Sequence, residues 1–298
     1  MNDHSLTYLE ILNTIINIIC VLQTCSYIHI KMGGIGMSVL QISTDNGVRV
    51  LTLNRPERLN AINDELSTQL EVAIAEASAD DNVRVIMLTG NGKGFSSGLD
   101  LADLSNQESP ANPRAAQLDD LEWVGRLALA IAHNDKPVIA AINGIAAGAG
   151  FALTLACDLR FMSESAMVTS GYIRRGLNPD AGMTYFLPRL IGQTRATELI
   201  LTGRDVTASE AKQIGLINDA FPDDEFQEQA MDFAKQLAAG PPIAMTLSKR
   251  LLVASQENDL TTSLKQELAS IKTCFGTDDV AEGMIAFSEK RKPQFKGN

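Results

Sequence analysis

Ala141-Ile142-Asn143-Gly144-Ile145-Ala146-Ala147-Gly148-Ala149-Gly150 is the stretch on which the reading of this chain of 298 residues turns. The apolar run over 138–142 reads as a buried strand, Gly144 breaks it, and the small residues from Ala149 to Ala156 read as a helix. Gly148 stands where the turn gives way to that helix, and glycine is the residue that takes a close or left-handed backbone without steric cost. The first N–H groups of a helix lack internal partners and lie at the positive end of its dipole. The Ala149 amide is therefore placed to meet negative charge.

Working outward, a second segment has the same character. A short strand over 85–88 ends in Thr89-Gly90-Asn91-Gly92 and leads to Gly94-Phe95-Ser96-Ser97-Gly98-Leu99-Asp100-Leu101. Gly98 makes the Leu99 amide a second candidate donor. Two such amides aimed at one oxygen on which negative charge develops form an oxyanion hole, in which losing one donor typically costs about 10²–10³ in rate. Taken singly, each glycine reads equally as a tight turn with its amide paired elsewhere.

Alternation over 39–43 and 48–53 around Asp45-Asn46-Gly47 predicts a hairpin with an Asn-Gly turn. It closes in a third segment, Asn54-Arg55-Pro56-Glu57-Arg58-Leu59-Asn60-Ala61-Ile62. Apolar spacing predicts helices over 64–78 and 116–133, a polar loop over 103–113, and further strands at 159–162 and 167–168. Beyond Asp180 the pattern is almost wholly helical, near 182–190, 193–201, 208–213, 226–238, 243–255, 260–273 and 278–287. Strands with helices first, helices last and no Pro/Gly-rich linker predict one α/β domain over 37–298, its C-terminal part helical from about 240.

The leader over 1–36 reads as an extension outside that fold, with Met32 or Met37 as the working start. Its apolar run is interrupted by Glu10, Asn13, Asn17, Gln23 and Thr24, and Asp3 precedes it with no Lys or Arg. That suits neither a secretory signal nor a transit peptide, and a membrane anchor is disfavoured. A net charge of −11 argues against nucleic acid as the main partner, while local basic residues still allow an anionic ligand. Four scattered cysteines and three histidines without ligand spacing suggest no metal site and a reducing, cytoplasmic compartment.

The NRPERLNAI, FSSGLDL and NGIAAGAG segments, in this order and spacing, resemble the crotonase superfamily of enoyl-CoA hydratases and isomerases, and the resemblance runs from about Ser38 to Phe295. It implies a crotonase-like spiral of ββα turns, a helical C-terminal region that builds a homotrimer or a dimer of trimers, and an acyl-CoA thioester substrate. It implies no metal or redox cofactor, coenzyme A entering as part of the substrate. By the same resemblance Leu99 and Ala149 supply the oxyanion hole, and Arg58, Leu59 and Ala61 line the coenzyme A channel. Ser97, Gly98, Leu101 and Gly148 shape the substrate loops, and Asp100 orients its loop by accepting backbone N–H groups. Arg58 also reads as a solvated cation, and Lys290, Arg291, Lys292 and Lys296 as a solvated tail that could meet phosphates.

Hydratases of this type resemble one another in carrying two glutamates, and the corresponding positions here are Ala152 and Tyr172. A different carboxylate follows Pro179: Asp180, where isomerase-like members place a lone acidic base. One carboxylate suffices to move a double bond, so isomerisation leads. Hydration, or acyl-CoA binding without catalysis, are the alternatives. Asp180 also suits a helix N-cap, and the two roles can coexist. Tyr172 is read as substrate lining.

Overall fold

The computed structural model describes residues 38–101 and 118–298. The leader, the polar loop over 103–113 and the start of the helix expected from 116 lie outside the described residues. The chain opens with the expected hairpin: β1 (Leu40–Asp45) pairs antiparallel with β2 (Val48–Leu53). Asn46 and Gly47 both take positive φ, 48° and 81°, as a two-residue turn of the twist-matched type requires. Then follow α1 (Asp64–Ala79), β3 (Val85–Gly90), β4 (Gly94–Ser96) and α2 (Glu122–Ala132). Asn63 caps α1 by accepting the Leu66 N–H at 3.0 Å.

Next come β5 (Val138–Ile142), β6 (Ile145–Ala147), α3 (Ala149–Ala156), β7 (Leu159–Ser163) and β8 (Met167–Thr169). Two sheets result, with strand orders β1-β2-β3-β5-β7 and β4-β6-β8, and from β2 onward neighbours are parallel. After the hairpin, whose two strands both lie in the first sheet, each turn of the chain lays one strand in the first sheet, one in the second, then adds a helix. This is the ββα spiral expected from the sequence.

The C-terminal part contains α4 (Met183–Ile191), α5 (Gln193–Thr202), β9 (Asp205–Thr207), α6 (Ala208–Gln213), β10 (Asp219–Phe221) and α7 (Phe226–Ala238). It ends with α8 (Pro242–Ala254), α9 (Leu260–Cys274) and α10 (Asp278–Glu289). The expectation of an almost wholly helical pattern after Asp180 holds except at two short strands the sequence reading did not include. β9 pairs antiparallel with β8, and β10 adds a parallel edge to β7. Likewise β6 falls where the sequence reads as a glycine-broken turn, and β4 where it assigns no element. All four span three residues, too few to show alternation.

Alternate residues of the first sheet face opposite cores. Leu51, Leu53, Ile86, Leu88 and Ile142 pack toward α1, α2 and α3, while Val48, Val50, Met87, Ile139 and Phe161 meet α7. Helix α3 is buried over its whole length, as its apolar composition demands. Its N-terminus is thereby fixed between the two sheets. No helix among the described residues is long and apolar enough to cross a membrane.

Candidate active site

Three backbone segments converge on the start of α3. The first is the turn after β2, where Pro56–Arg58 forms a single 3-10 turn and Leu59 and Asn60 are both left-handed, at φ 49° and 55°. Asn60 holds this shape. Fully buried, it accepts the Arg55 N–H at 2.8 Å and donates to the Asn91 and Gly94 carbonyls at 2.9 and 2.8 Å. A buried amide with its donors and acceptor satisfied specifies one loop conformation. Sequence reasoning singled out its neighbours Arg58, Leu59 and Ala61 and missed Asn60 itself. A buried polar residue in a tight turn is visible only once its partners 31 and 34 residues away are known. Ala61 is buried, whereas Arg58 and Leu59 lie at the surface.

The second segment runs from β4 through Gly98 to Leu99. Ser97 donates its N–H to Leu59 O and its hydroxyl to Arg58 O, zipping the two loops together. Ser96 is buried and its Oγ accepts the Gly98 N–H at 3.2 Å. The Gly98 carbonyl accepts the Ile62 N–H and the Asp100 N–H donates to Ile62 O, so the segment is clamped on both sides of Leu99. Gly98 has φ 90°, and a Cβ there would lie 2.7 Å from Ala147 O. Only glycine permits this approach. Asp100 is buried and ion-paired to Arg55 at 2.9 Å. This ion pair supplies the opposite charge that a buried carboxylate needs, and it adds a counter-ion role that the sequence reading did not assign. Leu101, half-exposed, is the last residue described before 102–117.

The third segment is Gly148-Ala149. Gly148 takes φ 52° and ψ −126° and donates its N–H to Thr169 O in β8. A Cβ on Gly150 would fall 2.6 Å from Ser96 O, so α3 packs directly on β4. Among the described residues neither the Leu99 nor the Ala149 N–H has an acceptor. Their loops touch, since a Cβ on Gly98 would stand 3.2 Å from Ala149 N. Two open amides, one at a helix start, thus lie side by side.

Tyr172 and Asp180 complete the arrangement. The phenol ring is buried next to Gly148, whose added Cβ would be 3.9 Å from Tyr172 Cζ. Its hydroxyl donates to Asp180 Oδ1 at 2.5 Å. Burial, followed by the neighbouring carboxylate, pushes the Tyr172 hydroxyl well above its ordinary pKa, so it stays protonated. Tyr172 is thus more than the wall expected of it. The helix-cap reading of Asp180 is also corrected. Ala181 and Gly182, at φ 49° and 78°, insert a left-handed turn between Asp180 and α4, which begins without a side-chain cap. Pro179, half-buried, directs the chain into this turn.

In the C-terminal tail Arg291 binds Glu282 and Glu289, so it is an internal ion pair rather than a free phosphate ligand, while Lys290, Lys292 and Lys296 are exposed. Among the described residues no group of His, Cys, Asp or Glu is arranged to hold a metal ion.

A ββα spiral with two open amides at a buried helix start defines the crotonase class of folds. A family model described as enoyl-CoA hydratase/isomerase matches residues 43–298, and the chain belongs to that family. It is similar to the 1,2-epoxyphenylacetyl-CoA isomerase of Escherichia coli (strain K12), 36% identical over 88% of this chain and 99% of that protein. It is also similar to the 2,3-dehydroadipyl-CoA hydratase of the same strain, 38% identical over 88% of this chain and 100% of that protein. Among solved structures, the enoyl-CoA hydratase from Bacillus anthracis superposes with a TM-score of 0.80 at 35% identity, covering 87% of this chain and 100% of that one.

Proposed function

We propose that this chain is an enoyl-CoA isomerase that shifts a double bond with one carboxylate. Asp180 removes a proton from the acyl chain of a 3-enoyl-CoA. The Leu99 and Ala149 N–H groups hold the thioester oxygen as the dienolate forms, and Asp180 returns the proton to another carbon. The observation that carries the reading is the open amide pair beside Gly148 together with the carboxylate held on Tyr172 against the same glycine. The chemistry needs no metal or redox cofactor, because the proton moves on a side chain and the charge rests on backbone amides.

Hydration is the second reading, favoured by the hydratase names among similar proteins. Against it weighs Ala152, fully buried in α3, with Tyr172 at the other position where hydratases carry a glutamate. A binder without catalysis would have no use for a carboxylate at 180. Arg58 and Leu59, exposed beside the Ser97 loop, are proposed to meet coenzyme A, with Ala61 behind them. A homotrimer or dimer of trimers is supported by the apolar stripe of Leu260, Leu264, Leu268 and Ile271 on α9, with Phe275 just beyond its end, all exposed in a single chain. Cytoplasmic residence belongs to the same proposal and rests on cysteine usage.

The test is a panel of 3-enoyl-CoA and 2-enoyl-CoA thioesters of varied chain length. Conversion of 3-enoyl to 2-enoyl thioester faster than water adds to the 2-enoyl form supports the proposal. Hydration as the dominant reaction would overturn it.

A further inference from the structure

We infer that Tyr172 is a positioning residue that commits one oxygen of Asp180, Oδ2, to carrying the proton, and so keeps that proton on the enzyme between the two carbons. The inference rests on the reading of Asp180 as the base.

Asp180 by itself is poorly placed for a single-oxygen shuttle. It ends a stretch, 173–180, whose residues are exposed or half-buried. A short exposed carboxylate turns freely and interchanges its oxygens. Tyr172 is the opposite. Its ring is buried, its N–H donates to Ser170 O, and its carbonyl accepts from the Arg175 and Leu177 N–H groups. The hydroxyl of this fixed ring holds Asp180 Oδ1, and among the described residues Oδ2 has no partner. The backbone reinforces the arrangement. Ala181, buried at φ 49°, adopts a left-handed conformation that side chains other than glycine avoid, so the surrounding packing imposes it.

The proton balance follows. A C–H bond of the substrate breaks, its electron pair enters the dienolate, and the O–H bond forms at Oδ2. The negative charge rests on the thioester oxygen. At the second carbon the Oδ2–H bond breaks and a C–H bond forms. The phenol donates to Oδ1 throughout and takes no proton from the substrate, since burial and the carboxylate hold it protonated. A carboxylate that cannot rotate has one oxygen facing the substrate, and its proton returns before exchanging with water.

The test is isomerisation of a 3-enoyl-CoA in D₂O by the full chain, reading kcat, KM and deuterium per product molecule for the parent, Tyr172→Phe and Asp180→Asn. For Tyr172→Phe the inference predicts a fall in kcat of about 10- to 100-fold, the scale of a small misplacement of a reacting group. KM should stay within about threefold and deuterium uptake should rise, because substrate binding is untouched while the carboxylate turns. Parental kcat and deuterium uptake in Tyr172→Phe would overturn the inference. So would a loss of kcat and melting temperature with unchanged deuterium uptake, which marks a loop staple. If Asp180→Asn still isomerises, the base reading itself fails. If only Tyr172→Phe is silent, the positioning role fails alone. Should Tyr172→Phe not fold, 3-fluorotyrosine at position 172 keeps the shape and strengthens the donor. Altered deuterium uptake then supports the inference, and unchanged uptake overturns it.

Discussion

Gly98 and Ala149 touch through backbone alone: a Cβ on Gly98 would stand 3.2 Å from Ala149 N. The loop after β4 and the start of α3 meet because neither glycine at the junction carries a side chain. The two unpaired N–H groups that follow are oriented by hydrogen bonds at their flanks, Ile62 to Gly98 on one side and Gly148 to Thr169 on the other. Donors fixed in this way need no reorganisation when charge develops beside them.

Gly148→Val separates function from stability at this junction. The nearest atoms to an added Cβ are 3.9 Å away, so the cost is backbone strain at φ 52° and ψ −126° rather than a clash. Relief of that strain turns the Ala149 amide from its target. Stability should fall by about 1–3 kcal/mol, and kcat/KM by about 10²–10³. Steady-state kinetics beside thermal melts decide the matter, and a loss of activity no greater than the loss of folded protein would mark a structural glycine.

Lys249→Met tests what fastens α8 to the sheets. Lys249 is buried, 2.6 Å from Asp158 and bonded to the Ile131 and Lys136 carbonyls. Removing it leaves the Asp158 carboxylate, 28% exposed and with Arg160 still near, without its ion-pair partner, expected to cost at most about 3 kcal/mol, the low end for a buried pair. Burial already raises the Asp158 pKa in the folded chain, with Lys249 opposing it. A carboxyl whose folded pKa is raised stabilises fully below its unfolded pKa and loses that contribution as pH rises through the folded value. Without Lys249 that value climbs further. Urea denaturation should therefore find a smaller defect in mild acid than at neutral pH.

The C-terminal tail has the opposite sign. Arg291, and then the Gln294 N–H, hold the Glu282 carboxyl down at about 2. Its contribution is present above the ordinary value of 4.5 and is lost as pH falls through about 2. The protection factor of the Gln294 amide, its exchange rate compared with that of a free amide at the same pH, should fall across that window in the parent chain, since its bond to Glu282 at 2.7 Å is weakened on protonation. In Glu282→Gln the protection factor should be low throughout and change little with pH.

Much of this was legible in the residues themselves. Asn46-Gly47 predicts the hairpin, and Gly98 and Gly148 mark the two open amides, because a left-handed backbone leaves a local signature. The long helices follow from apolar spacing. What escaped was set by contacts between segments. Asn60 is a latch because Gly94 comes to it from β4, and Asp100 is a counter-ion because Arg55 lies beneath it. The Tyr172 to Asp180 bond depends on a left-handed alanine, which no sequence pattern announces. β4, β6, β9 and β10 exist through pairing with neighbours and are too short to carry a period of their own.

Asp180→Asn tests the central claim most directly. Asparagine keeps the size of the side chain and can still accept from Tyr172, but it has no useful basicity near neutral pH. The variant should bind acyl-CoA as the parent does and melt within a few degrees of it. Its rate of 3-enoyl-CoA isomerisation should fall by about 10²–10⁴, the range for losing general acid–base catalysis. A folded variant that isomerises 3-enoyl-CoA at the parental rate would contradict the account.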